Sequence, residues 1–328
     1  MAKVICIGSS TKDMIFPIND GEIIETPEDL EAQRKIIFEL GAKYQVAEKR
    51  HKSLGGCAAN VACGLARLGV EAYCCTRVGD DQSAEWIRDE FAKNDVKADL
   101  IQTGKNCKSD LSFILAHIPS EDRVIFSDRD SNEKLEILPE EIKKIKAEWI
   151  FVSSLNGNDE ENWEKKLDKI LQLTQGENTE LIFNPGQKNI KKDPQKIIQA
   201  VGQSNILIVN KDEAIEIVGK SNEFTSDLLN DEKFLTEKLN SLGSKLVVLT
   251  DGARGAWAFD GNKFFHVEIK KTKVVDTLGA GDAFSSGFIA AHIKGKNLKE
   301  CLNWGIANSS NVVGFYGGVE GLLRESEI

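Results

Sequence analysis

The chain has 328 residues, of which 41% are hydrophobic and 29% are charged, as is usual for a globular protein with a sizeable core. Its formal net charge of −10 disfavours nucleic acid or an anionic membrane surface as a partner. No stretch has the roughly 20 apolar residues of a membrane helix. Because the N-terminus lacks the apolar region of a signal peptide, we expect a cytoplasmic protein with seven reduced cysteines.

Short apolar runs alternate with amphipathic segments along most of the chain. KVICIG at residues 3–8 predicts a buried strand, and AANVACGLARLG at 58–69 has helical spacing. Further helices are predicted at 161–173 and 231–242, between four apolar runs that read as buried strands: WIFVSS, ELIFN, ILIVN and KLVVLT. This alternation predicts an α/β fold, a mostly parallel sheet covered by helices on both faces.

Two segments, residues 16–53 and 109–127, interrupt this rhythm. Runs such as GEIIET, KIIFEL and AKYQVAEKRH in the first segment, and LSFILAHIP and RVIFS in the second, resemble half-exposed strands. We predict that the two segments pair into a small β-sheet over the main domain. This lid would be inserted into a core made of residues 1–15, 54–108 and 128–328.

The stretch DTLGAGDAFSSGF, at residues 276–288, places a loop of small residues before a helix. The amides of Gly279, Ala280 and Gly281 can face a ligand with no large side chain in the way, and the helix dipole favours an anion there. Asp282 beside this anion hole could accept a proton from a hydroxyl. Alternatively, Asp282 only occupies the favourable first turn of a helix, and the glycines only permit close packing.

A second glycine-rich stretch, LGGCAANVACGLARLG, occupies residues 54–69. Gly55 and Gly56 permit a close backbone approach to a ligand, and Asn60 offers a donor and an acceptor that suit sugar hydroxyls. Asp13 follows the first strand, at the sheet edge where ligands bind in α/β folds. The alternative readings are a tight turn, a local helix cap and a solvated loop acid.

Two later stretches suit a nucleotide. In NKDEA, Asn210 and Glu213 form the pattern of a capping box, yet Glu213 could also approach phosphate-bound Mg²⁺ through water. In TDGARGAWAFD, Gly252 and Gly255 leave room for an adenine or ribose to lie against the backbone.

Together, GGCAANVACGLARLGVEAYCCTRVG and DTLGAGDAFSSGF resemble the two signature motifs of the ribokinase-like (PfkB) family of carbohydrate kinases. The resemblance extends in order along nearly the whole chain. It implies a Rossmann-type three-layer α/β/α sandwich with a β-sheet lid. It also implies transfer of the γ-phosphoryl group from ATP, with Mg²⁺, to a hydroxyl of a small molecule.

The resemblance implies a role for each matching residue. Asp282 matches the catalytic base, and the three small residues before it match the anion hole. The positions that match contacts to ATP and Mg²⁺ are Asn210, Glu213, Thr250, Gly252, Gly255 and Asn308, the last near the adenine. The positions that match contacts to the acceptor are Asp13, Gly55, Gly56 and Asn60. Some members bind K⁺ through carbonyls, which would here belong to Asp276, Leu278, Gly317 and Gly321.

The acceptor is open to several interpretations, because ribokinase itself has a lysine where this chain has Cys57 or Ala58. A sugar is our first hypothesis. An adenosine-like nucleoside is the second, since the lid offers Phe16, Phe38, Tyr44 and Phe113. A phosphosugar would need basic residues near Asp13, for which Lys12, Lys49, Arg50 and Lys52 are available. A catalytically silent sugar- or nucleotide-binding regulator is the last hypothesis.

We also expect a homodimer formed through the lid.

Overall fold

The computed structural model describes residues 2–28, 34–157, 162–175, 179–222, 224–269 and 272–328. Its largest feature is a nine-stranded sheet in the order β15-β14-β13-β12-β11-β10-β1-β6-β7. All neighbours from β13 to β7 are parallel, whereas β14 and β15 extend the sheet as antiparallel strands. Residues 29–33 of the predicted lid and Glu161 of a predicted helix lie outside the described residues.

The strands of the described residues are, in chain order, β1 (Lys3–Ile7), β2 (Thr11–Ile18), β3 (Glu22–Glu25), β4 (Arg34–Ile37), β5 (His51–Gly55), β6 (Glu71–Val78), β7 (Ile101–Thr103), β8 (Leu111–His117), β9 (Asp122–Asp128), β10 (Trp149–Val152), β11 (Glu180–Phe183), β12 (Ile206–Asn210), β13 (Leu246–Thr250), β14 (Ala256–Phe259) and β15 (Phe264–Val267). The helices are α1 (Cys57–Arg67), α2 (Gln82–Lys93), α3 (Pro139–Ile145), α4 (Trp163–Thr174), α5 (Gln187–Lys192), α6 (Pro194–Val201), α7 (Lys211–Ser221), α8 (Ser226–Leu229), α9 (Glu232–Ser241), α10 (Ala280–Ile293) and α11 (Leu298–Val312).

Helices cover both faces of the large sheet, because its central strands carry apolar side chains on both sides. One hydrophobic core joins the sheet to α1, α2, α10 and α11. The other joins it to α3 through α7 and α9. The predicted three-layer α/β/α sandwich is therefore confirmed. Among the described residues, no helix is long and apolar enough to span a membrane.

The lid is a four-stranded sheet in the order β5-β2-β8-β9, accompanied by a separate β3–β4 hairpin. Strands β2 and β5 are antiparallel and lead directly from β1 and into α1. The proposed boundaries at 15/16 and 53/54 therefore cut through two lid strands. Because Asp13 lies on β2, the lid itself carries one of the predicted acceptor contacts.

The predicted strand at residues 42–51 is wrong except for His51. The chain turns at 40–41 and continues without regular structure, and the Tyr44 hydroxyl accepts a hydrogen bond from the Glu39 amide at 2.9 Å. The Ala47 amide donates to the Pro17 carbonyl at 2.8 Å, which ties the loop to β2 without forming a ladder. Most side chains of this stretch are exposed, so a strand there would have had no apolar face to bury.

Candidate active site

The first turns of α1 and α10 meet at the carboxyl edge of the large sheet. Close packing between the helices is possible because residue 64 is glycine: a Cβ there would lie 2.6 Å from the Cβ of Ser286. At their N-terminal ends, the Asn60 side-chain amide donates a hydrogen bond to Oδ2 of Asp282 at 2.8 Å. Two residues that are 222 positions apart in sequence therefore form one polar pair.

The loop before α10 has the geometry of an anion hole. Gly279 adopts a left-handed conformation with φ of 74°, and a Cβ there would lie 2.4 Å from the Cα of Gly318. The Ala280 amide donates to the Thr277 carbonyl, and the first helical bond runs from Ala283 back to Gly279. The amides of Gly281 and Asp282 therefore precede the helical ladder and have no intrahelical acceptor.

The Asp282 carboxylate is half-buried and lies among polar groups. Burial raises its pKa above the usual range, and the negative charge of Asp13 adds to this rise. Hydrogen bonds from Asn60 and Cys57 act in the opposite direction. A carboxylate with a raised pKa that is still held by donors is suited to accept a proton in a chemical step.

Asp13 lies across from Asp282 on the lid side of the site. It is 4% exposed, and the Thr11 hydroxyl donates to its Oδ1 at 2.8 Å. A Cβ on Gly55 would lie 2.0 Å from Oδ2 of Asp13, so the glycine makes room for the carboxylate. Gly56 turns the chain into α1 with φ of 92°. The predicted acceptor residues thus come together with the predicted base.

Glu213 lies in the first turn of α7, on the other half of the sheet, close enough to Asp282 for the two charges to interact. Its side chain accepts from the Asn210 amide at 3.0 Å, and the Asn210 side chain accepts from the Glu213 amide at 2.8 Å. The predicted capping box is confirmed. Burial raises the pKa of Glu213 to about 7, and the charges of Asp212 and Asp282 contribute. A buried carboxylate at this edge of the sheet suits a hydrated Mg²⁺ ion.

A cleft of about 100 Å³ runs from this edge toward β13 and β14. It is lined by Thr250, Gly252, Gly255, Ala256, Ile269, Ala280, Gly281, Phe284, Ile306, Ser309 and Ser310. The predicted nucleotide hairpin and the anion hole therefore share one cleft. Its mixture of small, apolar and hydroxyl groups fits a flat heterocycle with a phosphate tail.

Asn308 does not line this cleft, so its side chain is not placed for a direct contact with an adenine, and its position near the adenine stays a prediction. The residue is fully buried, and its side-chain amide donates to the Ala283 carbonyl at 2.9 Å and to the Ser286 hydroxyl at 3.1 Å. Its oxygen accepts from the Leu323 amide. The side chain instead joins α10, α11 and the C-terminal segment, and its neighbours Ser309 and Ser310 face the cleft.

The four positions matched to K⁺ surround the loop that precedes the anion hole. The Asp276 carboxylate accepts from the Leu278 amide at 3.0 Å and from the Gly317 amide at 3.2 Å. The Gly321 carbonyl accepts from the Asn311 side chain at 2.6 Å, which uses part of its acceptor capacity. Carbonyl coordination of K⁺ at this loop stays a prediction.

Two residues that touch the site were assigned no contact in the sequence interpretation. Cys57 hydrogen-bonds Asp282 from the first turn of α1, and the charge of Asp282 raises the pKa of its thiol. Gly318 provides the surface on which Gly279 and Asn60 pack. The Gly317-Gly318 pair in the sequence was a signal for such a close approach, whereas nothing in the sequence pointed to the contact of Cys57.

Replacing Glu213 by glutamine is expected to stabilise the protein at pH 8. With a native pKa of about 7 against an ordinary value of 4.5, the folded state binds this proton more tightly than the unfolded state. The stabilisation that comes from this proton is therefore complete below pH 4.5. It is lost as pH rises through 7, which lowers the free energy of unfolding by about 3 kcal/mol. Glutamine removes the buried charge and keeps the capping box.

Urea unfolding of both proteins at pH 5 and pH 8 measures this effect. Glu85→Gln, at an exposed position on α2, is the matched control and should change little. Equal free energies of unfolding for wild type and Glu213→Gln at pH 8 would contradict the raised pKa.

Taken together, an acid beside an anion hole and a cleft lined by small, apolar and hydroxyl groups fit a phosphotransferase of the α/β class. Comparison with known proteins agrees. The profile described as "pfkB family carbohydrate kinase" matches residues 29–323. The chain is 28% identical over 268 residues to an "Uncharacterized sugar kinase" of Archaeoglobus fulgidus, covering 80% of this chain and 98% of the relative. It is 26% identical over 323 residues to a "Nucleoside kinase" of Methanocaldococcus jannaschii, covering 95% and 91%.

Among solved structures, Arabidopsis thaliana ribokinase complexed with ribose and ATP has a TM-score of 0.77 at 19% identity, covering 99% of this chain and 96% of that one. The fold is thus that of ribokinase. Because the family profile spans most of the sequence, the chain belongs to the PfkB family of carbohydrate kinases, and it is a phosphotransferase that acts on a sugar or a nucleoside.

Proposed function

We propose that this kinase transfers the γ-phosphoryl group of ATP to a hydroxyl of a carbohydrate, with Asp282 as the base. One observation carries the proposal: Asn60 holds the Asp282 carboxylate at 2.8 Å, between the free amides of α10 and the buried carboxylate of Asp13. The donor cleft and the acceptor side thus meet at Asp282. The solved relative that contains ribose and ATP supports the same pair of ligands.

In this mechanism each part of the site has one task. Asp13 accepts hydrogen bonds from acceptor hydroxyls, and Asp282 takes the proton of the attacking hydroxyl as its oxygen bonds to the γ-phosphorus. The bond from that phosphorus to the bridging oxygen of ADP breaks, and the amides of Gly281 and Asp282 stabilise the transferred charge. Glu213 would hold Mg²⁺ through water, and the ion would supply positive charge to the phosphates.

The lid supports this chemistry by excluding water from the acceptor. Ile15, Ile114 and Ala116 form a small apolar core beneath the lid, packed against Leu278 and Tyr316 of the main domain. Closure over a bound sugar would keep water from competing for the phosphoryl group.

A nucleoside acceptor is the second candidate, favoured by an aromatic surface below the lid. The rings of His51 and Tyr316 lie 4.6 Å apart, tilted by 31°, and His51 shares a lid face with Asp13. Nε2 of His51 is buried without a hydrogen-bond partner in the described structure. A heterocycle with a polar edge would satisfy it.

Two sets of residues proposed earlier for other acceptors receive less support. Phe16 and Phe113 stack on each other at 4.4 Å on the lid face opposite Asp13, and Phe38 packs on Tyr44 in the outer loop. Lys12 extends from the opposite face of β2 over the Trp86 ring, which weakens the phosphosugar hypothesis.

The test is turnover of ATP–Mg²⁺ against a panel of free sugars, phosphosugars and nucleosides. We expect one strongly preferred free sugar. Preference for a nucleoside would select the second candidate. Ligand-dependent melting without turnover on any acceptor would instead identify a silent regulator and reject the proposal.

We further propose a homodimer that pairs the outer faces of two lids. Phe113 and Phe126 lie on this face and are 41% and 56% exposed, which leaves an apolar surface in contact with water. Sedimentation at micromolar concentration should give a species with twice the mass of one chain, as expected for a dimer with two-fold symmetry. A monomer at that concentration would contradict the proposal.

A further inference from the structure

The loop before the anion hole depends on one buried carboxylate. Asp276 is 6% exposed, and its two oxygens accept from the amides of Leu278 and Gly317. One side chain therefore joins the 276–279 loop to the 317–318 loop. Because Gly318 packs directly on Gly279, this junction also fixes where α10 begins and where its free amides point.

A lid residue reaches this junction from the other side of the site. Nη1 of Arg123, on β9, donates to the Thr277 hydroxyl at 2.5 Å and lies 3.8 Å from Oδ1 of Asp276. The guanidinium thus offers its charge to a buried carboxylate and a hydrogen bond to the next residue. A buried carboxylate is costly without such a partner, and the planar guanidinium can serve both contacts at once.

Because Arg123 belongs to the lid, its contact with the 276–279 loop links two parts of the site. Arg123 pairs with Ala116 of β8, the strand that also contributes to the apolar core beneath the lid. Asp13 lies on β2 of the same sheet, which pairs with β8. The lid sheet therefore carries the acceptor carboxylate, Asp13, on β2 and contacts the anion-hole loop through Arg123 on β9.

We propose that Arg123 is a positioning residue, which couples the placement of the lid to the geometry of the anion hole. With the lid seated, Arg123 fixes residues 276–279, and the amides of α10 then face the transferring phosphoryl group. This inference rests on the proposed phosphoryl transfer, and the experiment below separates a failure of one from a failure of the other.

The test compares Arg123→Ala and Arg123→Lys with wild type. We expect Arg123→Ala to lower kcat by about 10²-fold with little change in KM for ATP, the effect of a displacement near 1 Å at reacting groups. Lysine keeps the positive charge but lacks the planar guanidinium that can make both contacts. We therefore expect Arg123→Lys to recover only part of the lost kcat. The matched control is Arg88→Ala, because Arg88 likewise donates to a threonine hydroxyl, that of Thr103, at 2.6 Å.

Chemical rescue distinguishes positioning from general destabilisation. A cavity of about 330 Å³ borders Arg123, Asp276 and Tyr316, so a small cation can reach the vacated position. Added guanidinium should restore much of the kcat of Arg123→Ala and none of any loss in the control. Unchanged kcat in Arg123→Ala, or a loss that guanidinium does not repair, would overturn the inference.

Hydrogen exchange gives a readout that does not require an acceptor. In Arg123→Ala, the amides of residues 277–282 should exchange several-fold faster than in wild type, and guanidinium should slow them again. Unchanged exchange at these amides would overturn the inference even if no acceptor is found. Wild-type protein without turnover on the whole panel would reject the proposed function instead.

Discussion

Asp282→Asn is expected to lower kcat by roughly 10²–10⁴-fold, the usual contribution of a positioned base. Asparagine has the same shape and can still accept the hydrogen bond from Asn60, so the site should keep its geometry. What is lost is the capacity to take the proton of the attacking hydroxyl. Steady-state kinetics with the preferred acceptor measure the effect, and KM for ATP should change little.

The pH profile of the wild type gives an independent check on Asp282. Because burial raises the pKa of this carboxyl, kcat/KM should fall on the acid side at a higher pH than for an ordinary aspartate. Asp282→Asn should remove the part of the acid limb that comes from this carboxyl, whereas the part that comes from Glu213, with its pKa raised to about 7, should remain. Asp89→Asn, an exposed carboxylate on α2, is the control. Near-normal turnover of Asp282→Asn would remove Asp282 from the role of base.

Gly281→Ala should separate stability from catalysis. A Cβ on Gly281 meets no heavy atom within 4 Å, and alanine favours a helix over glycine by up to about 1 kcal/mol. We therefore expect an unfolding temperature equal to or above that of the wild type. The new methyl group would fill the space over the free amides, and kcat/KM for ATP should fall by roughly 10²-fold.

Two further glycine substitutions serve as controls for Gly281→Ala. Gly219, inside α7, likewise has no heavy atom within 4 Å of a built Cβ, so Gly219→Ala should stabilise without a kinetic effect. Gly279→Ala should lose both stability and activity, because its φ of 74° and its contact with Gly318 leave no room. If Gly281→Ala turned over ATP normally, the phosphates would not pass over these amides.

The main sheet was predictable because its strands are apolar on both faces and end at clear polar residues. ILIVN, for example, forms β12 at the predicted residues, and the Asn210 capping box begins α7 directly. The loop at 42–50 was not predictable in this way. Its apolar residues are few, and it is held by isolated contacts, from Ala47 to Pro17 and from Glu39 to Tyr44, that no local pattern indicates.

In the candidate site, too, features with a local sequence signal were predictable and features set by tertiary packing were not. Motifs that lie within one turn, such as the anion-hole loop and the glycine pair, carry their geometry in the local sequence. The direction of the Asn308 side chain was not predictable, because a helix turns by about 100° per residue and packing decides whether residue 308 or its neighbours face the cleft. Arg123 has no local signal at all, since only the tertiary fold brings β9 to Asp276.

The order of the strands has a consequence for how such a kinase diversifies. The residues predicted from the sequence to contact the acceptor, together with the lid strands, precede residue 130, and those predicted for the nucleotide and the anion hole follow residue 206. A single crossover between these points would exchange one set of acceptor residues for another and keep the nucleotide residues, provided that contacts between the two parts, such as Asn60 to Asp282 and Arg123 to Asp276, are preserved. A lineage built on this plan can acquire new substrates by recombination while inheriting one machinery for handling ATP.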